Sequence, residues 1–267
     1  MLTTKSLICY YADEALFLCG GKLFMVVKRL NTSNGRLLFV SDVHGEVGVL
    51  EKALEVLEFE EGKDNLVCAG DLIDRGSDSV NTMDFFLKDN TGSYHTVLGN
   101  HDMFAIDNNH ATTCELWVMN GGMWAFQELT QAERDEYATM LSELPVAIEV
   151  LHKGYKIGVV HASVPEEFEC WGDFVNCLED GNTDLIQQAT WDRTFIEYTK
   201  HHKDNHLSGV CATVHGHTPV RKPVMVGNRL HIDTGLVYGK HLTIMEFEGG
   251  EFTEYRFDIG GKLIEEA

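Results

Sequence analysis

Proline, long apolar runs and sequence repeats are scarce in this chain. Its 267 residues include only 4 prolines, and no low-complexity segment or internal repeat is visible, so neither a linker between separate domains nor a solenoid is predicted. The most apolar early segment, residues 7–27, is interrupted by Asp13, Glu14 and Lys22. A segment interrupted by charges is typical of neither a transmembrane helix nor a signal peptide, and we expect no membrane partner.

Paired cysteines are also missing. The 7 cysteines are an odd number, and they are scattered along the chain without a Cys-x-x-Cys pair. Disulfide-stabilised secreted domains and structural zinc sites are therefore not predicted. Because reduced thiols are typical of a cytosol, we expect a cytoplasmic protein.

Positive charge is the third shortage. The chain has 21 Lys and Arg against 42 Asp and Glu, which gives a formal net charge of −21. Proteins that bind nucleic acid through its phosphates need a basic face, so no nucleic-acid partner is predicted. A small phosphate substrate is still compatible with this charge, because the potential at a site is local. With 44% hydrophobic residues, the composition is that of a globular protein with one large domain.

The first half of the chain repeats one pattern: an apolar run, a polar cluster, then a helix. Residues 37–40 and 66–69 are predicted as buried strands, and a third follows at 94–98. The polar residues Asp42, Asp71 and Asn100 come after these strands at intervals of 29 positions. That interval is the length of a strand–helix–strand unit, so we expect the three polar clusters at one edge of a mostly parallel sheet.

The second half is richer in predicted strands. A helix is predicted over Gln131–Leu144, before Pro145. The predicted strands are residues 157–160, 212–214, 229–233, 241–247 and 252–257. We therefore predict an α/β fold in which two packed sheets are flanked by helices.

Side chains that bind metals follow five of the apolar runs. The candidate ligands are Asp42, His44, Asp71, Asn100, His161 and His217. Carboxylate, imidazole and amide groups together suit Mn, Fe, Co or Zn better than calcium or an iron–sulfur cluster. Asp71 is the predicted bridging ligand, because one carboxylate has two oxygens. Two cations roughly 3.5–4 Å apart suit in-line displacement at phosphorus.

Three further residues complete a candidate active site. Arg75 offers a guanidinium that can hold phosphoryl oxygens. His101, next to the candidate ligand Asn100, can protonate the leaving oxygen, and Asp74 can orient its ring. The aromatic and methionine stripe at residues 117–126 is interpreted as part of the core. His231 and the other isolated histidines are interpreted as structural.

These motifs resemble the metallophosphoesterase superfamily. The Asp-Arg-Gly sequence at 74–76 is similar to that of the PPP-type serine/threonine protein phosphatases. The bacteriophage lambda protein phosphatase group looks most similar, with matching segments at 120–122, 143–145, 190–193, 232–235 and 237–239. The resemblance covers about residues 36–250. It implies the calcineurin-like metallophosphoesterase fold, two packed mixed β-sheets flanked by helices (αββα), in a single domain over residues 36–267.

The resemblance also implies a role for each candidate residue. One metal takes Asp42, His44 and the bridging Asp71, and the other takes Asp71, Asn100, His161 and His217. Arg193, which no local pattern marks, joins Arg75 in binding the phosphoryl group, and His101 acts as general acid with Asp74. Manganese is the usual activating metal in this group, with Fe, Zn, Co or Ni as alternatives. In related nucleases a Gly-His-x-His frame supplies the last ligand, so His215 is an alternative or additional ligand to His217.

The implied function is dephosphorylation of phosphoserine and phosphothreonine in proteins or peptides, in a bacterial or phage-infected cytosol. A water held by two metals attacks phosphorus in line, and phosphotyrosine and small aryl phosphates are further expected substrates. A bis(5'-nucleosyl)-tetraphosphatase, which hydrolyses diadenosine tetraphosphate, is the alternative because it shares these motifs. A catalytically inactive binding module is disfavoured by the complete ligand set. The Asp-Arg-Gly motif disfavours a nuclease.

The N-terminus departs from the resemblance. The first candidate ligand, Asp42, comes about 20 positions later than is usual in this group. We therefore interpret residues 1–35 as an N-terminal extension. Two interpretations of its first 24 residues are open. They form a hairpin that turns at Gly20-Gly21, or the start codon is misassigned and translation begins at Met25.

Overall fold

The computed structural model describes residues 26–32, 34–197 and 205–266. The hairpin predicted at Gly20-Gly21 lies outside these residues. Part of the predicted N-terminal extension, Val27–Asn31, forms strand β1 and pairs in parallel with Ala147–His152, strand β5. The division of the chain at residue 35 stays a prediction.

Two six-stranded mixed sheets make up the centre of the described chain. The first has the order β1-β5-β6-β7-β9-β8, and the second has the order β12-β11-β10-β2-β3-β4. The remaining strands are β2 Leu37–Val40, β3 Asn65–Cys68, β4 Tyr94–Thr96, β6 Tyr155–Val160, β7 Ala212–His215, β8 Val224–Val226, β9 Arg229–His231, β10 Leu242–Glu248, β11 Glu251–Phe257 and β12 Leu263–Glu266.

Helices cover the outer faces of both sheets. They are α1 Val47–Val56, α2 Ser79–Leu87, α3 Asn100–Ile106, α4 Ala111–Trp117, α5 Met123–Glu128, α6 Gln131–Ser142, α7 Trp171–Glu179, α8 Thr183–Trp191 and α9 Thr194–Glu197. The predicted helix at 131–144 is confirmed as α6. Its start is fixed by Thr130 and Glu133, whose side chains each accept a hydrogen bond from the other residue's backbone N–H. No helix within the three described ranges is long and apolar enough to cross a lipid bilayer.

The core lies in three layers, which confirms the predicted arrangement of helices around two packed sheets. One apolar cluster fills the space between the sheets, where Phe39 and Val67 meet Ile148 and Val159. The two other clusters lie between each sheet and its helices. Every residue of β2 is buried, as expected for a strand covered on both faces.

Strand direction brings the polar clusters together. β2, β3 and β4 are parallel neighbours, so the loops that follow them leave from the same edge of the second sheet. In the first sheet β6 and β7 are also parallel; β6 ends directly before His161, and β7 ends two residues before His217. The predicted meeting of the polar clusters at one edge is therefore confirmed for the three units of the first half.

Candidate active site

The loops at this edge hold several candidate residues in a strained backbone conformation. His44, Asp71, Asp74, Arg75 and His217 have φ angles of 45°, 54°, 75°, 70° and 67°. Residues other than glycine adopt this left-handed region at an energetic cost, and such residues cluster at functional sites. The strain therefore falls on five of the candidate residues, although Glu58 and Lys153, which belong to no candidate motif, also have positive φ angles.

Asp71 lies at the centre of the site and is almost completely buried. Its Oδ2 is 3.5 Å from Nε2 of His44, and its Oδ1 is 3.4 Å from Nε2 of His161. Burial raises the pKa of Asp71, but His161 and His101 outweigh that effect and hold the pKa well below its usual range. An ionised carboxylate whose two oxygens face different histidines has the arrangement of a bridging ligand.

Hydrogen bonds to the main chain orient both of these histidines. Nδ1 of His44 donates to the oxygen of Ile73 at 2.7 Å, and Nδ1 of His161 donates to the oxygen of Ala69 at 2.6 Å. These bonds place a proton on each Nδ1 and turn each Nε2 toward Asp71. Metal-binding histidines are held by carbonyl oxygens in this way.

Two groups of side chains are spaced closely enough to hold a metal ion. His44, Asp71 and His101 form one, and Asp71, His161 and His217 form the other, with ligand atoms within 4.8 Å of one another in each group. Asn100 joins the second group, because its Oδ1 is 3.0 Å from Nε2 of His161.

His217 provides the test of whether a cation fits. Its Nε2 donates to the oxygen of Trp191 at 3.1 Å, whereas its buried Nδ1 has no hydrogen-bond partner in the described structure. A buried acceptor nitrogen beside Asp71 is the group that a cation would satisfy. Burial lowers the pKa of His217 well below its usual range, which keeps the imidazole neutral, as metal ligation requires.

Asp42 belongs to neither of these groups, and the group around His44 contains His101 instead. Its two oxygens accept the backbone N–H of His217 at 3.0 and 3.1 Å, and its Oδ1 also accepts the hydroxyl of Ser41 at 2.5 Å. The bonds to His217 tie the loop after β2 to the loop after β7, and Asp42 is buried there.

The structure separates the two histidines that the sequence left as alternatives. His215 donates from Nδ1 to the oxygen of Val160 at 3.0 Å, and its Nε2 accepts the hydroxyl of Thr213 at 2.8 Å. Both of its nitrogens are therefore engaged within the first sheet. His217, not His215, lies in the group with Asp71.

The predicted pair of His101 and Asp74 is in contact. Nδ1 of His101 donates to Oδ2 of Asp74 at 2.7 Å, so Nε2 of His101 faces the ligand groups. Oδ1 of Asp74 accepts two indole N–H groups, from Trp117 and Trp124, each at 2.8 Å. Asp74 has no exposed surface, and these donors satisfy its charge where water cannot.

Sequence reasoning missed the two tryptophans. The interpretation of the stripe as core is wrong for its methionines, because Met119 is 81% exposed and Met123 is 47% exposed. Trp117 is buried, but its N–H serves the site. Trp117 ends α4 and Trp124 lies on α5, with the non-helical Gly121 at a φ of 112° between them, so helical spacing gave no signal that both indoles face Asp74.

We expect the Trp124→Phe variant to lower kcat about tenfold, the low end of the cost of losing a group that orients a functional residue. The indole N–H is removed while an aromatic ring is kept, so the carboxylate of Asp74 loses one of its anchors. Steady-state kinetics on an aryl phosphate measure the change. Trp171 is the matched control, because its N–H donates to Glu149 at the same distance of 2.8 Å outside the site. An equal loss in Trp171→Phe would show that the effect is general destabilisation.

Asp102 is a second group whose role the sequence did not reveal. Its carboxylate accepts the backbone N–H groups of Gly99 at 3.0 Å, Asp71 at 3.1 Å and Leu72 at 3.0 Å. It therefore joins the loop after β3 to the start of α3. Burial and the charge of Asp71 raise the pKa of Asp102 to about 7.

The two candidate arginines contact residues of different ligand groups. Arg75 is exposed, donates from Nη1 to Nε2 of His44 at 2.7 Å and lies 5.7 Å from the ring centre of Tyr238. Arg193 is also exposed and donates from Nη1 to the oxygen of His217 at 3.3 Å. Each guanidinium thus borders one of the two ligand groups.

Comparison with known proteins agrees with this geometry. The profile of the calcineurin-like phosphoesterase family matches residues 35–221. Serine/threonine-protein phosphatase 1 of Salmonella typhimurium is 31% identical over 228 residues, which cover 84% of this chain and 97% of that protein. An asymmetrical bis(5'-nucleosyl)-tetraphosphatase of Bacillus velezensis is 28% identical over 234 residues, covering 78% of this chain and 87% of that protein.

A solved structure shares the fold. A protein serine/threonine phosphatase from Saccharomyces cerevisiae superposes with a TM-score of 0.63 at 12% identity, covering 96% of this chain and 90% of that one. At this level of identity the similarity concerns the fold alone.

Proposed function

The chain belongs to the calcineurin-like phosphoesterase family, and from this premise we propose that it is a metal-dependent protein serine/threonine phosphatase. One observation supports the proposal most directly: the two oxygens of Asp71 face two separate histidine groups, and the His101–Asp74 pair stands beside one of them. The bacterial relative named as a serine/threonine-protein phosphatase, matched over 97% of its length, supports the substrate class.

The family implies two divalent metals, and the donor set fits them. We assign Asp42, His44 and Asp71 to one ion. Asp71, Asn100, His161 and His217 are assigned to the other. When bound, the ions supply Lewis-acid charge that activates a water and neutralises the phosphoryl oxygens. Manganese is the proposed metal, because oxygen and imidazole ligands without thiolate suit it.

The chain's own residues bind the substrate and move one proton. Arg75 and Arg193 hold the phosphoryl oxygens and stabilise the charge that develops on them. Nε2 of His101 gives its proton to the leaving serine or threonine oxygen, and the hydrogen bond from Nδ1 to Asp74 keeps the ring aligned. The leaving group departs as a neutral alcohol. We also propose that phosphotyrosine and small aryl phosphates are hydrolysed, since these residues contact only the phosphoryl group and the leaving oxygen.

A bis(5'-nucleosyl)-tetraphosphatase is the second candidate function. It is favoured by the Bacillus velezensis relative, which matches 78% of this chain. The same ligands and the same proton donor serve both reactions, so the choice depends on the surface around the site. We give it second place because the phosphatase of Salmonella typhimurium matches more of this chain, 84%.

A substrate panel separates the two functions. The protein is treated with chelator, reloaded with Mn²⁺ in a titration, and assayed on a phosphoserine peptide, a phosphotyrosine peptide and diadenosine tetraphosphate. We expect no turnover after chelation, recovery with Mn²⁺, and a kcat/KM for the phosphoserine peptide at least about tenfold above that for the dinucleotide, a discrimination of about 1.4 kcal/mol. A clear preference for the dinucleotide would reverse the order of the two proposals, and full turnover without metal would remove both.

The proposed function includes a cellular location. We propose a bacterial cytoplasm, because the sequence has no Cys-x-x-Cys pair and the relative matched over 97% of its length is bacterial.

A further inference from the structure

Arg193 directly precedes helix α9, which the structure describes over Thr194–Glu197. Arg193 is exposed and reaches the main-chain oxygen of His217 through a long hydrogen bond of 3.3 Å. A bond of that length on an exposed side chain does little to fix its position. Contacts of the neighbouring residues therefore decide where Arg193 stands relative to His217.

Phe195 provides those contacts. It is the buried residue of α9 and is 2% exposed. The guanidinium carbon of Arg229 lies 4.6 Å from the centre of its ring, within the range of a cation–π interaction. The ring of His231 lies parallel to that of Phe195, with centres 5.9 Å apart and an angle of 18° between the planes.

The stack continues to the segment that bears His217. The ring of His231 also lies parallel to that of His215, with centres 4.8 Å apart and an angle of 25°. His215 is locked in place through both nitrogens, to Val160 and Thr213. Four side chains thus connect the segment of Arg193 to the segment of His217, and we call Arg229, Phe195, His231 and His215 the stacked cluster.

Hydrogen bonding does not explain why a histidine is buried at position 231. It is completely buried, and neither ring nitrogen has a hydrogen-bond partner among the residues the structure describes. Burial and the neighbouring Arg229 lower the pKa of His231 to about 3, so the ring is neutral. What it contributes is a flat surface between two other rings.

Arg229 anchors the other end of the stacked cluster. It is buried and donates to the main-chain oxygen of Val164, to the main-chain oxygen of Phe168 at 3.4 Å and to Oδ1 of Asn205 at 3.1 Å. The loop that begins after His161 is therefore tied to the same guanidinium that covers Phe195.

We propose that Phe195 is a positioning residue for Arg193, and that the stacked cluster fixes the Arg193 guanidinium beside His217, where it meets the phosphoryl group. This inference rests on the proposed function, because it takes Arg193 as a phosphoryl ligand. Phe195 itself touches no substrate. It acts by placing the residue two positions before it.

A double-mutant cycle on the metal-loaded enzyme tests the inference. The variants are Phe195→Leu, Arg193→Ala and the combination, and the measurements are the inhibition constant of inorganic phosphate and kcat/KM on the phosphoserine peptide. We expect Phe195→Leu to weaken phosphate binding about tenfold, since a misplacement of about 1 Å can cost up to about 10²-fold. In the Arg193→Ala background the same change should add less than about twofold, because coupled residues are not additive.

Phe257→Leu is the matched control for general destabilisation. Phe257 is equally buried, on β11 at the other sheet, and its replacement should leave phosphate inhibition within about twofold. If Phe195→Leu does not fold, His231→Leu takes its place, because that change loses no hydrogen bond. It should weaken phosphate binding several-fold, again only when Arg193 is present.

The outcomes separate the inference from the proposed function. Additive effects of Phe195→Leu and Arg193→Ala, or unchanged phosphate inhibition in folded Phe195→Leu, would overturn the positioning role while leaving Arg193 as a ligand. Unchanged phosphate inhibition in Arg193→Ala would overturn the role proposed for Arg193, and the inference with it.

Discussion

Replacing His101 by asparagine should lower kcat on a phosphoserine peptide by about 10²–10⁴-fold, the range that a lost general acid costs. The reason is the leaving group. A serine oxygen that departs without a proton is a strongly basic alkoxide, and Nε2 of His101 is the proton source that Asp74 orients through the bond of 2.7 Å. Asparagine keeps a polar side chain of similar length but has no proton to give at neutral pH.

The choice of substrate sharpens the test. A nitrophenolate leaves readily without protonation, so His101→Asn should cost much less on p-nitrophenyl phosphate than on the phosphoserine peptide. A loss of metal would lower both activities equally. His110→Asn is the matched control, because His110 is an exposed histidine outside both ligand groups, and its turnover should stay at the level of the unmodified chain. Equal losses on the two substrates would contradict the role of His101 as the acid.

The fold could be predicted in part from local patterns. The buried strands at 37–40 and 66–69 agree within one residue with β2 and β3, because a continuous apolar run bounded by polar clusters has few alternatives. The third strand was predicted to extend to Leu98 but ends at Thr96. The N–H of Leu98 pairs instead with the oxygen of Pro145, which is distant in sequence and leaves no local signal.

The order of the strands within each sheet could not be predicted from such local patterns. β10 pairs with β2, and β1 pairs with β5, although more than a hundred residues separate the partners in each case. A strand's sequence records which faces are buried but not which strand lies beside it. The motifs could still predict the edge of the sheet, because parallel strands of one repeating unit must end on the same side.

The candidate site divides in the same way. Ligand types at fixed intervals predicted Asp71 and its neighbours, and the bond between His101 and Asp74 followed from the motif. The side chains that hold these residues in place could not be predicted, because they come from parts of the chain that meet only in the folded structure. Trp117 reaches Asp74 from a separate helix, and Asp102 binds the backbone of another loop. In the sequence alone, nothing distinguishes such residues from other aromatic or acidic residues.

The second large effect is expected at the bridging carboxylate. We expect the Asp71→Asn variant to lose at least one of its two metals and to lower kcat by about 10³-fold or more, because a bound metal contributes several kcal/mol of charge stabilisation in the transition state. An amide has the size of a carboxylate but only one oxygen and no charge. It can accept the N–H of His101, which Oδ1 of Asp71 now accepts at 2.8 Å, but it cannot serve two cations.

Metal content decides the outcome more directly than turnover. Elemental analysis of the Mn²⁺-loaded and dialysed protein should give about two metals per chain for the unmodified protein and one or none for Asp71→Asn. Asp64→Asn is the matched control, because Asp64 is also buried and paired, with Arg36 at 2.8 Å, but it lies outside both ligand groups. That variant loses an ion pair and should keep both metals. Two metals retained in Asp71→Asn would show that the histidine groups on either side bind cations independently, and the bridging role would have to be abandoned.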